Sequence, residues 1–215
     1  MNPEEDLKII EKYFSITPVQ REKFIRLGEL YMPLNQKINL ISRKDIAHFY
    51  IRHVLHSLAI AKFIEFMPGS KILDVGTGGG FPGIPLAIMF PQVHFHLIDS
   101  IGKKIKAVRY LAEELGMDNL TSEQIRAENH HEKYDFIVSR AVTRMDRFYA
   151  WVQKNISQKH KHPIPNGILY LKGGDLTEEL KNFPQARVIP LTKYFEEPFF
   201  ETKKLVYLPE TKKKS

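Results

Sequence analysis

A glycine-rich segment is the part of this sequence whose residue types and spacing point most directly to chemistry. Residues 76–83 read GTGGGFPG and follow the apolar run Lys71–Val75. Glycine has no Cβ, so its backbone can adopt positive φ angles and approach a ligand closely. Five glycines in eight residues would weaken a turn that had no such need. We therefore expect this segment to bind a ligand at the end of a buried strand, where nucleotide-like ligands bind in open α/β sheets.

Two classes of ligand fit the segment. Residues 78–83 satisfy the GxGxxG fingerprint of dinucleotide-binding folds, and Asp99, at the end of the next predicted strand, could hold a ribose. In a second frame, Asp74 precedes glycines at positions 76, 78 and 80, which is similar to motif I of the class I S-adenosylmethionine-dependent methyltransferases. Asp74 would then accept a hydrogen bond near the ammonium end of the cofactor. Asp99 has a further interpretation as the N-cap of the helix that follows it.

The elements that must position these residues follow from the hydrophobic periodicity. After residue 68, short apolar runs alternate with helical patterns, notably Lys103–Leu115 and Asp146–Ile156. This alternation predicts βαβ units and a mostly parallel α/β sheet covered on both faces. Only the proline-rich, aromatic connection Thr192–Thr202 joins the last two strands, so these could pair antiparallel at one edge. The seven predicted strands are Lys71–Val75, His94–Ile98, Leu120–Ile125, Tyr134–Ser139, Ile168–Leu171, Arg187–Leu191 and Leu205–Leu208.

The N-terminal part of the sequence has helical spacing instead. One apolar repeat covers Leu7–Phe14, and a second helix is predicted to start with Thr17 as N-cap and Pro18 at its first position. A third helix is predicted from about Ile46 to Phe66. We therefore expect an N-terminal helical cap, residues 1–67, on a compact domain, residues 68–215.

Composition bounds the class of protein. The chain has 215 residues, 43% of them hydrophobic, and no stretch approaches the about 18 consecutive apolar residues of a membrane span. Cysteine is absent, which excludes disulfides and thiolate chemistry. The N-terminus lacks the pattern of a signal peptide, and the histidines show no metal-ligand spacing such as HExxH. We expect a cytoplasmic monomer without a metal, and a solvated, frayed tail at Lys212–Lys214.

The charge of the chain favours a polyanionic partner. Lys and Arg outnumber Asp and Glu by 32 to 25, a net charge of +7, and each neutralised phosphate releases counterions. Lys103 and Lys104 open a predicted helix, where positive charge opposes the helix dipole. A phosphate-rich partner would account for this placement, and so would ordinary solvation. The candidate RNA contacts are Lys103, Lys104, Lys106, Arg109, Arg126 and Lys172.

Seven segments, in order and spacing, resemble the RsmG (GidB) family, the bacterial 16S ribosomal RNA (guanine-N7) methyltransferases. The resemblance extends from about Asn35 to the last strand and implies the class I methyltransferase fold, a Rossmann-like sheet. It departs from the family pattern at His56, where Asp is usual, and at Leu34, where Trp is usual. The segments are Asn39–Ser42, Arg52–Leu58, Asp74–Pro85, Leu97–Lys104, Arg126–Glu128, Ser139–Ala141 and Leu171–Gly173.

The resemblance implies S-adenosylmethionine as cofactor and methylation of N7 of a specific guanine in the 16S ribosomal RNA of the small ribosomal subunit. Asp99 would hold the ribose, and Ala127 and Glu128 would lie beside the adenine. Together with motif I, the predicted cofactor-binding residues are Asp74, Gly76, Gly78, Phe81, Asp99, Ala127, Glu128 and Arg140. The predicted substrate-binding residues are His53, Lys103, Lys104, Arg126 and Lys172.

Arg140 is the predicted catalytic residue. An arginine can form two parallel hydrogen bonds with guanine O6 or with a cofactor carboxylate, and it keeps its proton. The alternative is that Arg140 forms a structural salt bridge. His53 is equally open, because a histidine in an amphipathic helix is as often packed as active.

The reaction implied by the resemblance is chemically consistent with the residues present. Guanine N7 is an acceptor with a free lone pair, so its methylation mainly requires alignment and exclusion of water. The segment Ser139–Val142 lacks the Asn/Asp-Pro-Pro-aromatic clamp common in amine methylation, and no cysteine is present for attack on a pyrimidine carbon. Two other functions stay open: a nicotinamide-dependent oxidoreductase, and an RNA-binding protein that has kept the fold without catalysis.

Overall fold

One sheet organises the residues that the structure describes. The computed structural model describes residues 2–210, apart from the side chains of residues 43 and 44. The strands in this range are β1 (Lys71–Val75), β2 (His94–Asp99), β3 (Leu120–Gln124), β4 (Phe136–Arg140), β5 (Gly167–Gly173), β6 (Arg187–Pro190) and β7 (Lys203–Pro209). They form a seven-stranded sheet with the order β3-β2-β1-β4-β5-β7-β6.

The predicted topology is confirmed. Strands β1 to β5 pair in parallel, and β7 pairs antiparallel with β5 on one side and with β6 on the other. The short strand β6 is therefore outermost, and β7 is the strand that runs against the rest. Central strands such as β1 are buried on both faces, which explains why they read as continuous apolar runs in the sequence.

Helices cover the sheet and connect its strands. Thr17 is the N-cap of α3, as predicted, and it forms a reciprocal capping box with Gln20. The helices are α1 (Pro3–Asp6), α2 (Lys8–Glu11), α3 (Pro18–Ile38), α4 (Arg43–Ile46), α5 (His56–Phe63), α6 (Gly83–Met89), α7 (Gly102–Glu114), α8 (Met145–Val152) and α9 (Thr177–Leu180). Short 3-10 turns lie at Ala127–Asn129, Gln153–Asn155, Leu191–Lys193 and Pro198–Phe200.

The helix predicted over residues 46–66 is divided in the structure. A π-helical stretch, Tyr50–Leu55, lies between α4 and α5, and α5 ends at Phe63 because Ile64 is extended, with a φ of −142°. Two carbonyls of the π-helical stretch accept side-chain hydrogen bonds: His53 O from Ser57 Oγ at 2.6 Å and Arg52 O from Arg140 Nη1 at 3.4 Å. Such wide turns are frequent at functional sites, and this one carries two residues of the site described below.

The N-terminal helices pack directly on the sheet. Buried residues of α3, such as Leu27 and Tyr31, belong to the same apolar cluster as Ile72 of β1 and Phe136 of β4. The Tyr31 hydroxyl donates to the carbonyl of Gly79 at 3.0 Å, so α3 also supports the glycine-rich segment. The domain boundary after residue 67 stays a prediction.

Two sequence-based expectations concern membranes and the tail. Across residues 2–210, none of the helices combines the length and the apolar character that crossing a bilayer would require. The tail Lys212–Lys214 lies outside the described residues.

Candidate active site

The glycine-rich segment forms a tight loop between β1 and α6. Gly76, Gly78 and Gly80 have φ angles of 68°, 59° and 96°, a region that side chains disfavour. At Gly76 a Cβ would also lie 2.5 Å from Cγ2 of Val142, too close for an unmoved neighbour. Both the conformation and the close approach therefore require glycine at this position.

Asp74 anchors the loop from below. Its fully buried carboxylate accepts hydrogen bonds at Oδ2 from Thr77 Oγ1 at 2.7 Å and from the Gly83 amide at 2.9 Å. Burial raises the pKa of Asp74 to about 7, against the lowering effect of these two hydrogen bonds. Its other oxygen has no hydrogen-bond partner in the described part of the chain. Asp74 thus ties both ends of the loop together.

A cavity of about 480 Å³ opens beside this loop, and we call it the first cavity. Val75, Asp99 and Arg140 place it at the carboxyl ends of β1, β2 and β4, the position where open α/β sheets bind ligands. Its volume lies within the range of small-molecule sites. The predicted cofactor residues on its wall are Gly76, Asp99, Ala127, Glu128 and Arg140.

The other three predicted cofactor residues lie next to the first cavity without lining it. Asp74 is beneath the loop, and the Gly78 amide donates to Asp99 Oδ2 at 3.0 Å. Phe81 is buried behind Arg140, with its ring centroid 5.1 Å from the guanidinium carbon. These residues support the wall of the cavity, and a direct contact with a cofactor stays a prediction for each.

Asp99 is held in place by backbone donors. Besides the Gly78 amide, the Ile101 amide donates to Oδ1 at 2.9 Å, and Lys104 Nζ lies 3.4 Å from Oδ2. The N-cap residue of α7 is Ile101, so Asp99 does not cap that helix. The carboxylate of Asp99 is therefore fixed at the carboxyl end of β2, where it lines the first cavity.

Sequence reasoning missed one wall of the first cavity. Val142, Arg147 and Trp151 also line it, and the Arg147 guanidinium carbon lies 5.2 Å from the Trp151 ring centroid. Trp151 is the single tryptophan of the chain. The sequence offered one signal for this wall, since Trp151 lies in the helical pattern that forms α8. An aromatic ring beside a nucleotide-type cavity offers a stacking surface.

Arg140, the last residue of β4, is half-buried and lacks an acidic partner. Its Nη2 lies 3.1 Å from His53 Nδ1, and burial lowers its pKa to about 10. Within residues 2–210 it forms no ion pair, which removes the structural salt bridge as an explanation. A buried charge without a counter-charge is costly, and such groups cluster at functional sites.

A second cavity, of about 320 Å³, meets the first one at Arg140 and Ala141. Its wall carries four cationic side chains and one acidic one. The acid, Asp45, pairs with Arg52 at 2.7 Å, and Lys172 pairs with Glu179, so Arg140 and Lys203 make the second cavity positive. Its lining residues are Asp45, Arg52, His53, His56, Arg140, Ala141, Leu171, Lys172, Gly173, Phe199 and Lys203.

His53 is neutral in this setting. Burial, reinforced by the positive charge of Arg140, lowers its pKa to about 3. Because an arginine can only donate, His53 Nδ1 must accept from Arg140, and the ring proton is therefore assigned to Nε2. That Nε2 is buried and has no partner among the described residues. His53 thus has an unused hydrogen-bond donor that is closed off from solvent.

The predicted substrate residues lie in three different settings. His53 and Lys172 line the second cavity, while Lys104 and Arg126 line the first. Lys172 is only 9% exposed, donates to the Thr143 carbonyl at 2.7 Å and forms an ion pair with Glu179. Its charge is therefore already compensated. Lys103 is exposed on the first turn of α7.

Comparison with known proteins agrees with this geometry. Residues 20–205 match the GidB family, described as rRNA small subunit methyltransferase G. A ribosomal RNA small subunit methyltransferase G from Christiangramia forsetii is 58% identical over 204 residues, which are 94% of this chain and 97% of the relative. The protein of the same name from Flavobacterium johnsoniae is 57% identical over 201 residues, 93% of this chain and 96% of the relative.

A solved structure supports the fold separately. A SAM-dependent methyltransferase from Aquifex aeolicus superposes with a TM-score of 0.53 at 16% identity, covering 70% of this chain and 87% of that one. The fold is thus that of the class I methyltransferases, as predicted, and the family match decides between the two interpretations of the glycine-rich segment in favour of motif I. The chain belongs to the GidB family of small-subunit ribosomal RNA methyltransferases.

Proposed function

We propose that this chain transfers the methyl group of S-adenosylmethionine to N7 of a specific guanine in 16S ribosomal RNA, acting on the small ribosomal subunit in the cytoplasm. The observation that carries the proposal is Arg140, a half-buried cation without an acidic partner at the junction of two cavities. One cavity suits the cofactor and the other suits the base. Arg140 can reach an acceptor from either side.

The residues of the first cavity fit the cofactor. Gly76 leaves its wall free of a side chain, and Asp99 offers carboxylate oxygens to ribose hydroxyls. Ala127 and Glu128 form the side where the adenine would lie, and Trp151 adds an aromatic surface. When bound, S-adenosylmethionine supplies an electrophilic methyl group on sulfur.

The residues of the second cavity fit a guanine turned out of its helix. N7 and O6 of guanine are both acceptors, and the wall supplies donors from Arg140 and Lys203. Phe199 offers a ring on which an unstacked base can lie, and aromatic side chains commonly hold single-stranded bases in this way. Donors at O6 would orient the base and leave N7 free to attack.

The second cavity offers no strong base to remove a proton, within the described residues. Its one imidazole nitrogen without a hydrogen-bond partner and with a lone pair to offer belongs to His56, whose pKa burial holds well below its usual value. Asp45 is paired with Arg52, and Nδ1 of His53 is occupied by Arg140. Methylation of an amino group would need such a base, whereas N7 has no proton to lose. The lack of a strong base therefore favours ring-nitrogen methylation, which alignment and exclusion of water can promote.

The RNA would approach across a basic rim. Lys103 is exposed beside the mouth of the first cavity, and Lys104 and Arg126 lie on that mouth. Such charges position RNA through its phosphates, and they add to the net charge of +7.

The test is methyl transfer from labelled S-adenosylmethionine to small ribosomal subunits isolated from a strain that lacks this protein, followed by mapping of the modified base. The expected result is one labelled 7-methylguanine in 16S RNA, with no transfer by Arg140→Met. Cofactor binding without transfer would favour a binding protein that has lost catalysis. Label on an amino group or on a pyrimidine would contradict the assignment of the second cavity.

A further inference from the structure

We propose that His96, Glu123 and His130 form a binding site for a divalent metal ion of the zinc type. His96 lies on β2, Glu123 lies on the neighbouring strand β3, and His130 follows the turn Ala127–Asn129. One ligand atom from each of the three residues lies within 4.8 Å of the others. None of the three lines the first or the second cavity, so this site is separate from the one proposed for methyl transfer.

The distances between the ligand atoms suit a small metal ion. Nε2 of His96 lies 3.5 Å from Oε2 of Glu123, and Nδ1 of His130 lies 3.8 Å from the same oxygen. Zinc binds nitrogen and oxygen at about 2.0–2.2 Å, so neighbouring ligands of a tetrahedral site lie about 3.4 Å apart. Small side-chain rotations would therefore complete the site without movement of the strands.

The two imidazole rings are already oriented as metal ligands. Nδ1 of His96 lies 2.8 Å from Thr121 Oγ1, and Nε2 of His130 lies 2.8 Å from the Tyr134 hydroxyl. Histidine ligands usually bond through their second nitrogen to such an outer partner, which fixes the ring and the tautomer. The rings also stack, with centroids 5.2 Å apart. In each histidine, the nitrogen without this outer partner is the one that faces Glu123.

The contacts within the cluster do not satisfy its polar atoms. Nε2 of His96 is buried, and the described residues give it no hydrogen-bond partner, although Glu123 lies nearby. His130 is only 5% exposed. Buried polar atoms are normally paired, so a nitrogen of this kind aimed at a carboxylate is explained by a cation held between them.

The chemistry of the ligands selects the class of ion. Two imidazoles and one carboxylate suit zinc and similar transition metals, whereas magnesium and calcium prefer oxygen ligands. Three protein ligands leave a fourth position for water. The ion would join β2 and β3 to the segment that follows Ala127 and Glu128, two residues of the first cavity. Its expected role is to fix that wall of the cavity.

This proposal departs from the sequence-based expectation of no metal. That expectation rested on short spacings such as HExxH, in which two ligands share one helix. Here the ligands come from two adjacent strands and the segment after a turn, so only the pairing of β2 with β3 brings them together.

The test is a titration of tag-free, metal-free protein with zinc chloride in competition with a chromogenic chelator, read without any activity assay. Wild type is expected to bind one zinc per chain, and cobalt is expected to give the visible absorption of a four-coordinate ion. Glu123→Gln and His96→Gln should each weaken zinc binding by about tenfold or more. Glu113→Gln and His131→Gln, which change exposed residues outside the cluster, should bind as wild type does.

Two outcomes would overturn the proposal: wild type that binds no stoichiometric zinc, or Glu123→Gln that binds zinc as tightly as wild type. The side chains of Glu123 and His96 are 48% and 20% exposed, so these variants are expected to fold. Circular dichroism of the metal-free variants checks this point. Zinc should also raise the melting temperature of wild type more than that of His96→Gln, because only a ligand that binds the native state at this site stabilises it.

Discussion

The two cavities that meet at Arg140 are built in different ways. The first is formed by the ends of β1, β2 and β4, the segments that follow these strands and β3, and side chains of α7 and α8, and backbone amides hold its Asp99 carboxylate in place. The second is formed by side chains from the π-helical stretch, β5, β7 and the turn Pro198–Phe200, and it is cationic. A carboxylate that backbone amides hold at the end of a strand suits the ribose of a fixed cofactor. A cavity made of converging donors suits an acceptor-rich base on a polyanion.

The largest expected effect is on the first cavity. Gly76→Val places a side chain at a φ of 68° and against Val142, so we expect S-adenosylmethionine binding to become undetectable by calorimetry. Gly69→Val is the matched control, because Gly69 also has a positive φ but has open space around it. Cofactor affinity close to wild type in Gly76→Val would place the cofactor elsewhere.

Arg140 belongs to both cavities, and its loss should affect the chemical step. Arg140→Met removes the donor at the junction, and we expect kcat to fall by about 100-fold or more, the usual cost of losing one donor to a reacting group. Arg144→Met is the control, since Arg144 is exposed and outside both cavities. A kcat within threefold of wild type, at saturating cofactor and RNA, would make Arg140 a structural residue only.

Beneath the first cavity, Asp74 should make stability depend on pH, because its pKa is raised to about 7. A folded-state pKa above the unfolded value favours the protonated folded form, so stability is lost as pH rises from about 4 to about 7. The loss is at most about 1.4 kcal/mol per pH unit. Chemical denaturation of wild type and of Asp74→Asn over this range should show wild type falling relative to the variant. Parallel curves would contradict the raised pKa.

A substitution in the second cavity should impair the reaction with RNA and leave cofactor binding unchanged. Phe199→Ala removes a half-buried ring from its wall, and base–aromatic stacking is worth about 1–3 kcal/mol. We expect kcat/KM for small subunits to fall about tenfold while the Kd for S-adenosylmethionine is unchanged. Phe183→Ala, which truncates a half-buried ring packed on Tyr149, should leave both values unchanged. If Phe199→Ala bound S-adenosylmethionine more weakly than wild type, the two cavities would have to be treated as one binding site.

The smallest expected effect concerns the rim. Lys103→Ala removes one exposed charge at the start of α7, and the slope of log affinity against log salt should become shallower by about 0.7–0.9. Lys181→Ala, at the residue that follows α9 and pairs with Glu178, should not change the slope. An unchanged slope for Lys103→Ala would place the RNA path on another face.

The same difference between the cavities determines what the sequence could predict. The strands and the glycine loop depend on contiguous residues, so apolar runs and glycine spacing located β1 and the loop closely. The second cavity depends on residues far apart in sequence, such as Arg52 and Phe199, whose proximity follows only from packing. Lys172 shows the same limit, because its pairing with Glu179 requires α9 to lie beside β5. The resemblance supplied His53 and Arg140 but not their mutual hydrogen bond.

The most direct test of the account is a crystal structure of the protein with S-adenosylhomocysteine and guanosine monophosphate. We expect the adenosine of the first ligand in the first cavity, with its ribose on Asp99, and the guanine in the second cavity against Phe199. N7 of that guanine should face the junction at Arg140. Both ligands in one cavity, or a guanine whose N7 faces away from Arg140, would contradict the division of roles between the two cavities.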